Sequence, residues 1–111
     1  MELNTWERVR LLSLLPEKGN YVTLKIVHRL RQDLSFTEEE VSELQFRDDG
    51  DRMMWNPDAD KLKEFQIGPK ARELLVQKLE ELNKSESLDH QLMLLFEKVA
   101  DTTKYDLGGE A

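Results

Sequence analysis

Phe36-Thr37-Glu38-Glu39-Glu40-Val41-Ser42-Glu43-Leu44-Gln45-Phe46-Arg47-Asp48-Asp49-Gly50-Asp51-Arg52-Met53-Met54-Trp55 changes its periodicity near Gln45. Thr37 and Glu40 stand three apart, the spacing of a capping box, and Phe36 and Val41 occupy the hydrophobic-staple positions around it. Glu38, Glu39 and Glu40 complement the positive end of a helix dipole, so a short helix is expected to run to about Leu44. Beyond it, Asp49-Gly50 is a type I′ turn signal. Folding the chain there pairs Arg47 with Arg52, Phe46 with Met53 and Leu44 with Trp55. Leu44, Phe46, Met53 and Trp55 then share one face of a half-buried ribbon, with Gln45, Arg47, Arg52 and Met54 on the other. Glu64-Phe65-Gln66-Ile67 alternates again and could add a third strand.

Upstream, two helices are expected. Asn4 and Glu7 form another capping-box pair before a leucine-rich helix over Thr5–Leu15, which Pro16 and Gly19-Asn20 terminate. A second helix, Leu24–Leu34 with Thr23 as cap, places Leu24, Ile26, Val27, Leu30 and Leu34 on one side. Lys25, His28, Arg29 and Gln32 fall on the other. Downstream, Gly68-Pro69 opens a fourth helix with Ala71, Leu75, Leu79 and Leu82 on its apolar face. Ser87 caps a fifth to about Ala100, carrying Leu88, Leu92, Leu95 and Val99, with Leu94 opposite. The expected architecture is α+β: a mainly helical single domain over residues 1–100, with three helices, a β-hairpin and two further helices. Its first four elements follow the order of a winged-helix module. Residues 101–111 have little to bury and read as a mobile tail.

The composition sets the outer limits. A chain of 111 residues without cysteine has no disulfide framework, thiolate zinc site or thiol nucleophile. Its net charge of −7 is the reverse of a protein that coats nucleic acid. The charge is unevenly spread: residues 1–35 sum to +2, residues 36–68 to −6 and residues 69–111 to −3. No apolar stretch approaches the length of a membrane span, and the first residues lack the pattern of a secretory signal, so a cytoplasmic protein is the expectation.

Each chemical class can be weighed against an ordinary structural role. His28 and His90 sit on different helices with no partner at i+4. The aspartates around Gly50 and at 58 and 60 do not have calcium-loop spacing, so no metal ligands are assigned. Nucleophile-elbow, phosphate-loop and metalloprotease motifs are all missing, so no catalytic residues and no cofactor are assigned. As a winged helix, the chain would present Glu38–Glu43 and Asp48–Asp51 to phosphates, which repels them. Nucleic acid would then have to meet Lys25, His28, Arg29 and Gln32, extended by Arg8, Arg10 and Arg31, although a solvated helix face explains these residues as well. The ten carboxylates of residues 36–68 could instead mimic a phosphate backbone, but caps and turns account for most of them. Met54 and Leu94 lie off their elements' apolar faces and are candidate partner contacts.

One resemblance can be read from these motifs. Glu7-Arg8 before a helix ending Leu14-Leu15-Pro16, Leu24-Lys25-Ile26, Leu30-Arg31, Leu34-Ser35-Phe36-Thr37-Glu38-Glu39-Glu40, Trp55-Asn56 and Ile67-Gly68 resemble small proteins of unassigned function encoded by tailed bacteriophages and prophages. The likeness spans about residues 5–100. It brings no catalytic or binding residues. It implies a bacterial host cytoplasm and a non-enzymatic accessory or regulatory role exercised by binding one host or phage protein.

Overall fold

The computed structural model describes residues 1–105. The fold is mixed α+β and mainly helical, with elements β1 (Glu2–Leu3), α1 (Thr5–Leu14), α2 (Tyr21–Leu34), α3 (Glu38–Leu44), β2 (Arg47–Asp49), β3 (Arg52–Met54), a single 3₁₀ turn at Pro57–Ala59, β4 (Lys63–Glu64), α4 (Pro69–Lys84) and α5 (His90–Val99). The chain forms two compact units, Met1–Ile67 and the residues from Gly68 onward.

Both expected capping boxes are present in the first unit. The Asn4 side chain accepts from the Glu7 amide at 2.8 Å, and the Glu7 carboxylate accepts from the Asn4 amide at 2.9 Å. Thr37 and Glu40 exchange the equivalent pair at 3.1 and 3.0 Å. Helix α2 starts earlier than expected, because Asn20 rather than Thr23 is its cap and accepts from the Thr23 amide at 2.9 Å. The extra turn holds Tyr21 and Val22, both exposed, so no buried period announces it. Leu24 is 39% exposed. At about 100° per residue it lies roughly 90° from the centre of the face that buries Val27, Leu30 and Leu34.

The hairpin forms with a shifted register. Asp49 faces Arg52, Asp48 faces Met53 and Arg47 faces Met54, so Gly50-Asp51 is the two-residue loop. Gly50 alone of the two has positive φ, at 67°, which is the type II′ pattern with glycine first. The expected register would have forced Asp49 into that region and set Arg47 directly opposite Arg52. The observed one sets Arg52 opposite Asp49 and replaces like charges by opposite ones. It also brings the Phe46 and Trp55 rings edge-to-face with centroids 6.0 Å apart. The half-buried ribbon is not realised. All six strand residues are exposed, Met53 included, and the apolar cover stops at half-buried Phe46 and Trp55 and buried Leu44.

The hairpin also gains no third strand. Lys63–Glu64 pairs instead with Glu2–Leu3, antiparallel, in a separate two-stranded sheet. The pairing continues at Met1: its carbonyl accepts from the Phe65 amide at 2.8 Å, and its amino group donates to the Phe65 carbonyl at 3.0 Å. Asp60 fastens the next residues. One carboxylate oxygen accepts from the Thr5 amide at 2.9 Å and the other from the Trp55 indole at 3.3 Å. Leu3, Leu11, Leu15, Val27, Leu30, Leu34, Leu44 and Phe65 are the buried apolar residues of this unit.

The second unit is a pair of helices in which Leu75, Leu79, Leu92, Leu95, Phe96 and Val99 are buried. Helix α4 ends in a Schellman arrangement: Glu86 takes φ 56°, its amide reaches Asn83 O at 3.1 Å, and the Ser87 amide reaches Leu82 O at 2.8 Å. Ser87 is thus consumed in ending α4, and Asp89 caps α5 by accepting from the Leu92 amide at 2.8 Å. Of the expected tail, residues 106–111 lie outside the described residues. Lys104 reaches Glu80 at 3.0 Å, and Tyr105 meets the Phe96 ring edge-on at 6.0 Å.

The two caps predict different sensitivities. Asp89→Ala should lower stability by about 1 kcal/mol, whereas Ser87→Ala should change it by no more than about 0.5 kcal/mol. Urea unfolding of both variants measures the difference.

Candidate functional site

Arg8, which is 3% exposed, is a highly connected polar group of the first unit. Its place on α1 points the guanidinium at the C-terminus of α2 and the N-terminus of α3. Nε donates to Leu34 O at 3.2 Å and Nη2 to Ser35 O at 2.8 Å, satisfying carbonyls that the end of α2 leaves open. Nη1 donates to Glu40 Oε2 at 2.5 Å and Nη2 to Glu40 Oε1 at 3.3 Å, a bidentate pair. The guanidinium carbon lies 3.9 Å from the centroid of Phe36 and 5.0 Å from that of Phe65. Phe36 therefore packs on Arg8 and, edge-on, on Phe46 at 5.1 Å, while Val41, its expected staple partner, is 45% exposed.

From the sequence, Arg8 extends a solvent-facing basic surface; in the structure it is buried and removed from that surface. A residue in the first turns of a capped helix looks exposed until a distant segment closes over it. Here that segment lies about thirty positions away. Glu40 performs two tasks, completing the cap of α3 and receiving the Arg8 fork. The hydrogen bonds from Arg8 hold its carboxyl well below the ordinary range, at about 2, with the Thr37 amide and Lys63 (3.7 Å away) acting in the same sense against partial burial. Such a carboxylate stays ionised at neutral pH and is a weak proton acceptor.

A cavity of about 380 Å³ opens beside this pair. Glu39, Glu40 and Glu43 of α3 line it together with Lys61 and Lys63, so its wall carries both signs of charge. Among the described residues no group of three His, Asp or Glu side chains could hold a metal ion. No helix of the described residues is long and apolar enough to cross a membrane.

The remaining candidates lie on surfaces. Lys25, His28, Arg29 and Gln32 are all exposed on one face of α2, and Lys25 Nζ stands 5.9 Å from the Tyr21 ring. Their apolar neighbours on that face, Tyr21 (73% exposed) and Val22 (64%), do not show in the sequence pattern, where Thr23 reads as the cap and the helix starts after them. Met54 (40% exposed) belongs to the first unit and Leu94 (50%) to the second, so neither unit carries both. Comparison of the chain with family models, curated proteins and solved structures found no match.

Glu40→Gln should test the central pair. Because the carboxyl is depressed in the folded state, its contribution is fully present above the unfolded value of 4.5 and is lost as pH falls toward 2. Glu40→Gln should therefore cost about 2 kcal/mol at neutral pH, and the difference from wild type should shrink through that acid window. Thermal unfolding from pH 7 down to pH 2 reads it, and a gap independent of pH would contradict the assignment.

Proposed function

We propose that the chain is a non-enzymatic protein-interaction module, a phage or prophage accessory or regulatory protein that acts in the bacterial cytoplasm by binding a host or phage protein. The observation that carries this reading is the exposure of apolar side chains on well-formed elements. Tyr21 and Val22 of α2 and Leu94 of α5 are each at least half exposed, and Tyr21, Val22 and Leu24 lie within one turn at the start of α2 rather than scattered singly. The charged groups add to it from the other side. Arg8 and Glu40 are engaged in fastening helices together, and Asp60 in anchoring a helix start, which supports a reading that assigns them no reaction.

A second reading, a winged-helix-like regulator that grips nucleic acid, has one observation in its favour: Lys25, His28, Arg29 and Gln32 share an exposed face. It requires affinity that falls steeply with salt and with Lys25→Ala and Arg29→Ala. The acidic composition and the apolar residues on the same face favour a protein partner instead.

Immobilised full-length chain incubated with lysate of a phage-susceptible or lysogenic bacterium should retain at least one protein saturably, in amounts that plateau as lysate is increased. Retention that never saturates, or retention only of nucleic acid, overturns the reading.

A further inference from the structure

We propose that the exposed face of α2 is a docking surface for an acidic amphipathic helix of a partner protein. The proposal rests on the interaction-module reading and names the surface and the chemistry of its occupant.

The face is continuous. At about 100° per residue, Leu24, His28, Tyr21, Gln32, Lys25, Arg29 and Val22 follow one another around an arc of roughly 160°, and every one of them is exposed. Val27, Leu30 and Leu34 occupy the opposite side and are buried. The helix is thus amphipathic toward its own core and carries a second apolar set, Tyr21, Val22 and Leu24, at its solvent-facing N-terminal end. Cations follow on the same arc, Lys25 and then Arg29 one turn on, with Arg31 exposed at its edge. Asp33, at the other edge, is the one acidic residue of α2.

Charge complementarity selects the occupant. Fourteen residues of helix give a rod of about 21 Å, long enough to lie along four turns of another helix. An apolar strip covering Tyr21, Val22 and Leu24 would remove surface that water hydrates poorly, and carboxylates one turn on would meet Lys25 and Arg29. A nucleic-acid backbone would use the cations but leave Val22 and Leu24 against phosphate, where they gain nothing. The chain's net −7 opposes an acidic partner at long range, but at physiological salt that field is screened beyond about 8 Å. The local basic and apolar face then decides the contact.

The test uses the full-length chain and a displayed library of helical peptides of about 16 residues, roughly 24 Å long. Selection on wild type is followed by counter-selection on Lys25→Glu/Arg29→Glu. The surviving peptides should combine Leu, Phe or Met at helical spacing with Asp and Glu. They should bind at least about tenfold more weakly to Lys25→Glu/Arg29→Glu and to Tyr21→Ala/Val22→Ser, with the melting temperatures of both variants close to wild type. Replacing peptide Glu by Lys should restore binding to the charge-reversed variant. Three results overturn the proposal: no peptide distinguishes wild type from the variants, a DNA duplex binds this face with the same dependence on Lys25 and Arg29, or the wild type self-associates through it and the variants do not. If the lysate partner is retained equally by wild type and both variants, the surface is wrong and the interaction-module reading stands. If neither lysate nor library yields a ligand, both fall.

Discussion

A single arginine in a low-dielectric setting organises the first unit. Taking a guanidinium out of water costs several kcal/mol unless its donors are met. Arg8 meets them with two main-chain carbonyls at the end of α2 and a carboxylate at the start of α3. Arg8 is remote in sequence from both of these neighbouring helix ends, so its desolvated charge ties the placement of α1 to the junction between α2 and α3. A lysine would supply charge but not the planar fork that reaches Leu34, Ser35 and Glu40 together. Phe36 and Phe65 cover the ring-like faces of the group, which ties the capping residues of α3 and the residue after β4 to the same point.

This arrangement divides the charge into two populations. Arg8, Glu40 and Asp60 are drawn inward and hold segments together. Lys25, Arg29 and the aspartates of the hairpin are left in water. The net −7 is therefore a poor guide to any one surface. The segment richest in acids contains Glu40 and Asp60, both committed to internal contacts, and the surface available to a partner includes a basic, partly apolar helix face that the total conceals.

Local chemistry was the legible part of the fold. Asn4 with Glu7 and Thr37 with Glu40 are satisfied within four residues, so their spacing alone announces two helix starts. Gly50 likewise marks a turn. What escaped depended on partners far along the chain or on competition between neighbours. The hairpin register turned on whether Asp49 or Gly50 would take positive φ and on which charge would face Arg52. Ser87 lost the cap of α5 because ending α4 already engaged it. Lys63–Glu64 turned away from the hairpin because the residues ahead of α1 offered an edge, and a two-residue strand at Glu2–Leu3 has no period to read. The cationic set on α2 was visible, but its apolar companions were not, since a helix turn exposed on all sides shows no amphipathic signal.

The pairing of β1 with β4 also fixes where the first unit's ends lie. The amino group of Met1 is 3.0 Å from the carbonyl of Phe65, so some sixty residues leave one point and return to it. A segment with adjacent ends behaves as a cassette. A few linking residues would join them, new ends could be opened at the exposed Gly50 turn, and the circularly permuted chain would keep the Arg8 contacts intact.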